Sequence, residues 1–478
     1  MRRRALVGAA GLVVLASLAP TGAGAHGLVG RADLPIPAWL FGWAAAIVLV
    51  FSFVALAVLW PTPRLEPHGW RPLPRLVSGA LTSRALEVVL GALGVALLVV
   101  VVWSGLLGEQ VASVNLAPTF VYVVFWLALV PASVLLGDVF RVLNPWRAVA
   151  RAVAWAATKV ARGPLPAPLP YPERLGRRPA ALGLFLFAWL ELVSPSGDVP
   201  RALALATLVY SALTWVAMAM YGVEAWSRRG EAFSVYFNLF SRLSVWERRD
   251  GKIGVRPPLS GLADLAPLPG TVAVLAVMIG SVTFDGFSTG RPWGVLVPLL
   301  QAPLEALGIP VERAVPLVYG VGLAACVGLA GGFYRLGVAG MRTVARALPG
   351  SRLAGAFVHS LVPIALVYAG AHYVSLLVFQ GQAVAYLVSD PLGHGWNLFG
   401  TATRAIDYGV VGATTFWYVQ VALVVAGHVA ALVLAHDRAL VLFPRASTAV
   451  RSQYWMLGVM VGFTTLALWL LNEANAGA

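Results

Sequence analysis

About ten long apolar stretches, joined by loops that alternate between strongly basic and nearly free of positive charge, restrict this chain to a polytopic helical membrane protein. Hydrocarbon offers no partner to a backbone N–H or C=O, so each stretch must satisfy its own backbone as an α-helix. The stretches fall at 36–60, 84–106, 115–137, 180–196, 201–223, 268–288, 314–335, 354–380, 411–437 and 453–472. The expected fold is therefore all-α, a transmembrane bundle of about ten spans behind an amino-terminal signal.

Loop charge sets the expected orientation. The loop after the first stretch carries Arg64, Arg71 and Arg75, the third Arg141, Arg147, Arg151, Lys159 and Arg162, and the fifth Arg228, Arg229, Arg242, Arg248 and Arg249. The seventh carries Arg335, Arg342, Arg346 and Arg352, and the ninth Arg438, Arg445 and Arg451. The positive-inside rule puts these five in the cytoplasm, and both the mature amino terminus and the carboxyl terminus outside a plasma membrane. The net charge of +14 is thus an orientation signal, and no nucleic-acid partner is expected. Residues 1–25 read as a secretory signal, with Arg2 to Arg4, an apolar core and Ala23-Gly24-Ala25. The remainder divides into a bundle of five spans at 26–223, a cytoplasmic loop at 224–267 and a second bundle of five spans at 268–478.

Two loops carry further structure. Residues 146–161 read as a helix on the membrane surface. The 224–267 loop is expected to be partly ordered, with Trp226, Tyr236, Phe237 and Trp246 at the interface. The segment 291–310 is apolar but interrupted by Pro292, Pro298, Pro303 and Pro310, which suits an interfacial or re-entrant element. Gly320, Gly328, Gly331 and Gly332 are expected to mark close helix packing.

Ionisable groups within spans are costly and default to functional candidates. Counting about 1.5 Å per residue puts Glu191, Asp285 and His372 in the outer half of the membrane on three helices. Tyr368, His372 and Ser375 share one helix face by their spacing of four and three. Such a constellation suits a divalent metal or the handling of protons; the structural alternative is hydrogen bonding between packed helices. Haem ligation by His359 and His428, and copper at an N-terminal His26, are the other cofactor readings. His436, at a span end, is expected to be solvated or to cap its helix. The lone Cys326 excludes a disulfide framework and an iron–sulfur cluster.

Five strings carry a resemblance: HGLVGRADLPIPAWLFGWAAAIVLVFSF at 26–53, SVTFDGF at 281–287, HSLVPIALVYAGAHYVSLLVFQGQ at 359–382, SDPLGHGWNLFGTA at 389–402 and GHVAALVLAHDRAL at 427–440. Together they resemble actinobacterial polytopic membrane proteins labelled fenitrothion hydrolase. The resemblance implies hydrolysis of an organophosphate triester, an apolar small molecule arriving from the lipid bilayer. Asp285 and His372 would then be metal ligands, Glu191 a ligand or base and Tyr368 an orienting donor. No HExxH, G-x-S-x-G or P-loop accompanies them. The alternative is a secondary transporter or permease in which Glu191, Asp285 and His372 bind a proton or ion; five spans on each side of 224–267 would have opposite orientations.

Overall fold

A computed structural model describes residues 38–65, 69–163, 166–344, 346 and 348–477. The expected signal at 1–25, His26 and His68 lie outside these residues. Each of the ten expected spans corresponds to helix. In chain order the principal helices are α1 (Ala38–Leu59), α2 (Arg84–Leu107), α3, a composite third span (Leu116–Leu136), α4 (Pro145–Val160) in the following loop, then α5 (Arg178–Leu192) and α6 (Pro200–Tyr221). A short α7 (Ala232–Ser241) follows, then α8 (Thr271–Ser288), α9 (Arg291–Ala306), α10 (Val311–Met341), α11 (Leu361–Leu387), α12 (Ala413–Leu442) and α13 (Tyr454–Gly477).

Among the described residues eight helices are long and apolar enough to cross a membrane. Helix α13 is not counted among them, and neither is α5. The 15 residues of α5 rise about 22 Å, less than a hydrocarbon core, because Pro179 opens it and it ends before Pro195. The chain is an all-α membrane bundle, and its apolar outer helix surfaces fit contact with lipid.

Helices α8 and α11 form the centre. Their most apolar windows are 67% buried, against 17% for α1 and for the segment containing α2. Helix α8 packs against α5, α10, α11 and α13, and α11 against α12 and the third span. Burial on every side removes the need for an amphipathic stripe, so sequence periodicity is weak there. Close approach is set by glycine. A Cβ on Gly280 would stand 2.5 Å from Val327 Cα of α10, and one on Gly427 would stand 2.3 Å from a methyl of Val367 on α11. Gly328 and Gly332, expected to mark packing, have no atom within 4 Å of that position, and Gly331 only an ordinary 3.5 Å neighbour. Gly328 and Gly332 face outward from the helix contact, whereas Gly331 lies against Ala276 of α8 and Gly320 against Trp189.

The third span changes pitch. Residues 120–128 form a π-helical stretch between two α-helical pieces, and such insertions recur at functional sites. It faces α11 and carries Trp126 into the core.

The 224–267 region departs from the expectation of an interfacial loop. Helix α7 within it is buried at eight of ten positions, Tyr236 and Phe237 included, and packs against the third span, α5 and α11. Its amino terminus is capped by Glu231, which is 1% exposed and accepts from the Phe233 and Ser234 amides, Tyr210 Oη at 2.5 Å and Asn144 Nδ2 at 3.1 Å. A buried carboxylate with four donors is satisfied. Residues 246–255 of the region form a hairpin, Trp246–Arg249 with Lys252–Val255, closed by Asp250-Gly251 at positive φ. Arg71–Pro72 pairs with its second strand.

Helix α4 is present where a surface helix is expected, yet Arg147 is 5% exposed. It donates to Glu87 at 2.7 Å and to Glu224 from both Nε and Nη2, at 3.1 and 2.7 Å. Segment 291–310 is helical across Pro298 and Pro303 and packs against α10, with Trp293 buried.

Candidate functional site

Asp285 sits near the end of α8, and His372 and Tyr373 sit midway along α11. His372 Nε2 is 2.9 Å from Asp285 Oδ2, and Tyr373 donates its hydroxyl to the same oxygen at 2.6 Å. The side chains of His372 and Asp285 are 7% and 14% exposed. Low dielectric strengthens such bonds and makes them hard to break. Trp126 from the π-helical stretch closes the cluster, its ring 5.1 Å from that of Tyr373 and edge-on to it. Two neighbouring side chains of α11 thus meet on one carboxylate oxygen of α8, with Trp126 of the third span packed behind Tyr373.

Glu191, on α5, lies within electrostatic reach of Asp285, Tyr373 and Tyr236. Its Oε2 is buried and has no hydrogen-bond partner among the described residues. Ser375, one turn beyond His372 on α11, likewise has a buried hydroxyl without a partner. A buried carboxylate oxygen in this condition calls for a proton, a water or a cation.

The expected orienting donor, Tyr368, does not reach this cluster. It donates to the Phe463 carbonyl of α13 at 3.1 Å, on another side of α11, and Tyr373 supplies the phenol instead. The face count groups residues three and four apart and so passes over Tyr373, the immediate neighbour of His372. The arm of a tyrosine is long enough to converge with it on a carboxylate seated between the two helices.

The donor set does not form the three-ligand group expected of a hydrolytic metal site. Among the described residues no three His, Cys, Asp or Glu side chains gather as a metal-binding group, and the facing atoms of Asp285 and His372 are engaged with each other. Catalytic zinc sites use three protein ligands.

Of the other histidines, His428 bonds the Val424 carbonyl of its own helix through Nδ1 at 2.7 Å, while its buried Nε2 has no partner among the described residues. His436 is buried, against the expectation of a solvated or capping residue: its ring meets the Trp60 carbonyl at 3.0 Å and Gln453 at 3.3 Å. Its neighbour Asp437 accepts from Trp60 Nε1 at 3.0 Å and the Arg64 amide at 2.6 Å, tying α12 to the segment after α1. His394 lies in a loop ordered by Asp390, which accepts from the His394 and Gly395 amides.

Outside the membrane spans the Arg147 network is the main charged feature. Burial pushes the Glu224 carboxyl up, but Arg147 outweighs it and holds the group below its ordinary value.

Comparison of the chain with known protein families, curated proteins and solved structures finds no match.

Proposed function

We propose that this is a membrane protein that takes up and releases a proton at the Asp285, His372 and Tyr373 cluster, coupled to movement of a small solute as in a secondary transporter. The observation that carries this reading is the shared Asp285 Oδ2, bonded by an imidazole at 2.9 Å and a phenol at 2.6 Å inside the bundle. With the carboxylate ionised, His372 Nε2–H donates to it. With the carboxyl protonated, the same contact runs from Oδ2–H to the imidazole nitrogen. One proton therefore has two homes within a single hydrogen bond. Glu191 nearby, with an oxygen that no group among the described residues satisfies, offers a further station. Intramembrane carboxylate and histidine chains of this kind suit proton relays.

A second reading, hydrolysis of an apolar triester as the sequence resemblance implies, is favoured by the same dyad. Asp285 would orient His372, leaving Nδ1 to take a proton from water.

The test uses the full chain in phosphatidylcholine vesicles enclosing a pH-sensitive dye. A panel of small solutes is added across a pH gradient. The transport reading expects solute-dependent proton flux in wild type, lost in Asp285→Asn and reduced at least tenfold in His372→Gln. Infrared titration should show a carboxyl band that disappears in Asp285→Asn or Glu191→Gln. Absence of any titrating carboxyl between pH 4 and 9 would sink the proton reading. Release of nitrophenol from a fenitrothion-type triester, abolished by His372→Gln and without proton flux, would favour hydrolysis.

A further inference from the structure

A second feature lies apart from the proton cluster: a cavity of about 510 Å³ enclosed by α2, the third span, α5 and α6, with Pro145, Trp146 and Phe233 among its lining residues. Its size is within the range of roughly 300–1,000 Å³ usual for ligand sites. We propose that it holds one acyl chain of a bilayer phospholipid, inserted sideways between α5 and α6.

Three observations carry this. First, α5 and α6 follow each other in sequence but lean on different neighbours, α5 on α8 and α7, α6 on α2. The space between them is a gap facing lipid. Second, Leu186 of α5 and Val209 and Leu213 of α6 line the cavity and are also 55%, 60% and 66% exposed, so they form its rim on the outer surface of the bundle. Deeper lining residues Val101 and Leu203 are 3% and 2% exposed. Third, the polar atoms around it are turned away. Tyr210 directs its hydroxyl to Glu231 at 2.5 Å, and Trp146 directs Nε1 to Ser211 Oγ at 2.7 Å. Among the described residues no charged side chain lines the cavity.

The walls thus offer mainly dispersion contacts, with Thr207 and Trp189 the other polar residues among them. An apolar space of this kind does not hold ordered water, and left empty it forfeits packing on every side. Hydrocarbon of the adjoining leaflet is the filler at hand, and a flexible chain can enter through the gap while its headgroup stays outside.

The experiment reconstitutes the full chain in nanodiscs of phosphatidylcholine carrying a diazirine near the end of one acyl chain, followed by irradiation and peptide mass spectrometry. Expected are adducts on the deep residues Val101 and Leu203 as well as on the rim. Ala206→Trp, which fills the cavity from α6, should lower deep labelling at least fivefold. Leu205→Trp, on the lipid-facing side of the same helix and outside the lining, should leave it unchanged. Labelling confined in wild type to Leu186, Val209, Leu213 and other outer positions would overturn the proposal. So would deep labelling as strong in Ala206→Trp as in wild type. If Ala206→Trp does not elute as a folded protein, the wild-type contrast between deep and rim adducts decides alone.

Discussion

Replacement of Gly280 by alanine tests whether the α8–α10 contact is set by the absence of a side chain. The added Cβ would meet Val327 Cα at 2.5 Å, Val327 N at 2.7 Å and the Cys326 carbonyl oxygen at 2.9 Å. All three are backbone atoms, so no rotamer change relieves them. Against an ordinary contact of 3.4 Å the nearest falls about 0.9 Å short, so one helix must withdraw by nearly that distance. Overpacking of a tight interface costs about 1–3 kcal/mol, and the better helix propensity of alanine returns at most about 1 kcal/mol. Gly280→Ala is therefore expected to be destabilising by about 1–2 kcal/mol. Gly328→Ala and Gly332→Ala, on α10 with open space at the Cβ position, should be neutral or slightly stabilising. Unfolding of the detergent-solubilised protein, followed by tryptophan fluorescence, measures all three. Equal destabilisation in the three variants would refute the reasoning, because glycine would then matter to these helices by something other than close approach. Asp285 is five residues along α8 from Gly280, so the same displacement should loosen its hydrogen bonds to His372 and Tyr373.

Three further outcomes are expected. Arg147→Met should lower thermal stability more than Arg151→Met, because Arg147 is 5% exposed and bridges two carboxylates whereas the Arg151 side chain is 45% exposed; removing one partner of a buried pair costs about 3–5 kcal/mol, less where one carboxylate reaches water. Thermal melts of the two variants side by side check this, and Glu87→Gln in the Arg147→Met background should recover part of the loss. Glu224 is held below its ordinary value in the folded chain, so its stabilisation is complete above the unfolded carboxyl pKa of about 4.3 and fades as pH falls through the lower folded one; between pH 7 and 3, wild type should lose more stability than Glu224→Gln. Asp437→Ala leaves Trp60 Nε1 and the Arg64 amide without their acceptor, a loss of about 1–3 kcal/mol, and should speed proteolytic cleavage after α1 at unchanged temperature.

Much of the architecture was legible because hydropathy and loop charge report on single elements. Each expected span is a helix, and α4 begins within a residue of its expected start. Pairings across the bundle were harder to read. Asp285 and His372 stood out as ionisable groups at similar depth, and they do meet. Tyr373 did not, because a tyrosine in an apolar helix is ordinary until its partner is known. Arg147 was read with the other loop arginines as an orientation signal, since nothing local reveals that Glu87 and Glu224, 60 and 77 positions away, converge on it. Helix α7 did carry a signal. Its ten-residue apolar run is too short to span a bilayer and too apolar for a loop, the pattern of a buried or re-entrant helix.

The distribution of satisfied and unsatisfied polar atoms separates the parts of the bundle that hold shape from those able to change. Glu231, Asp437 and Arg147 each have several partners of good length, and losing any one costs the bond and strands a buried group, so these sites resist rearrangement. Asp285 has two donors on one oxygen, both from α11, which ties α8 to α11 whichever way the shared proton lies. Glu191, on the short α5, leaves Oε2 bare in the same neighbourhood. Helix α5 also stands beside the lipid-facing gap and is not long enough to be anchored at both membrane surfaces. Of the three helices around the cluster it is held least, so a change in charge near Asp285 would be answered first by movement of α5. A spin label at Leu182, on the lipid-exposed side of α5, should accordingly show a pH-dependent mobility change that a label at Val419 on α12 does not. Glu191→Gln should abolish it, and a change of equal size at both labels would mean that the bundle responds as one body instead.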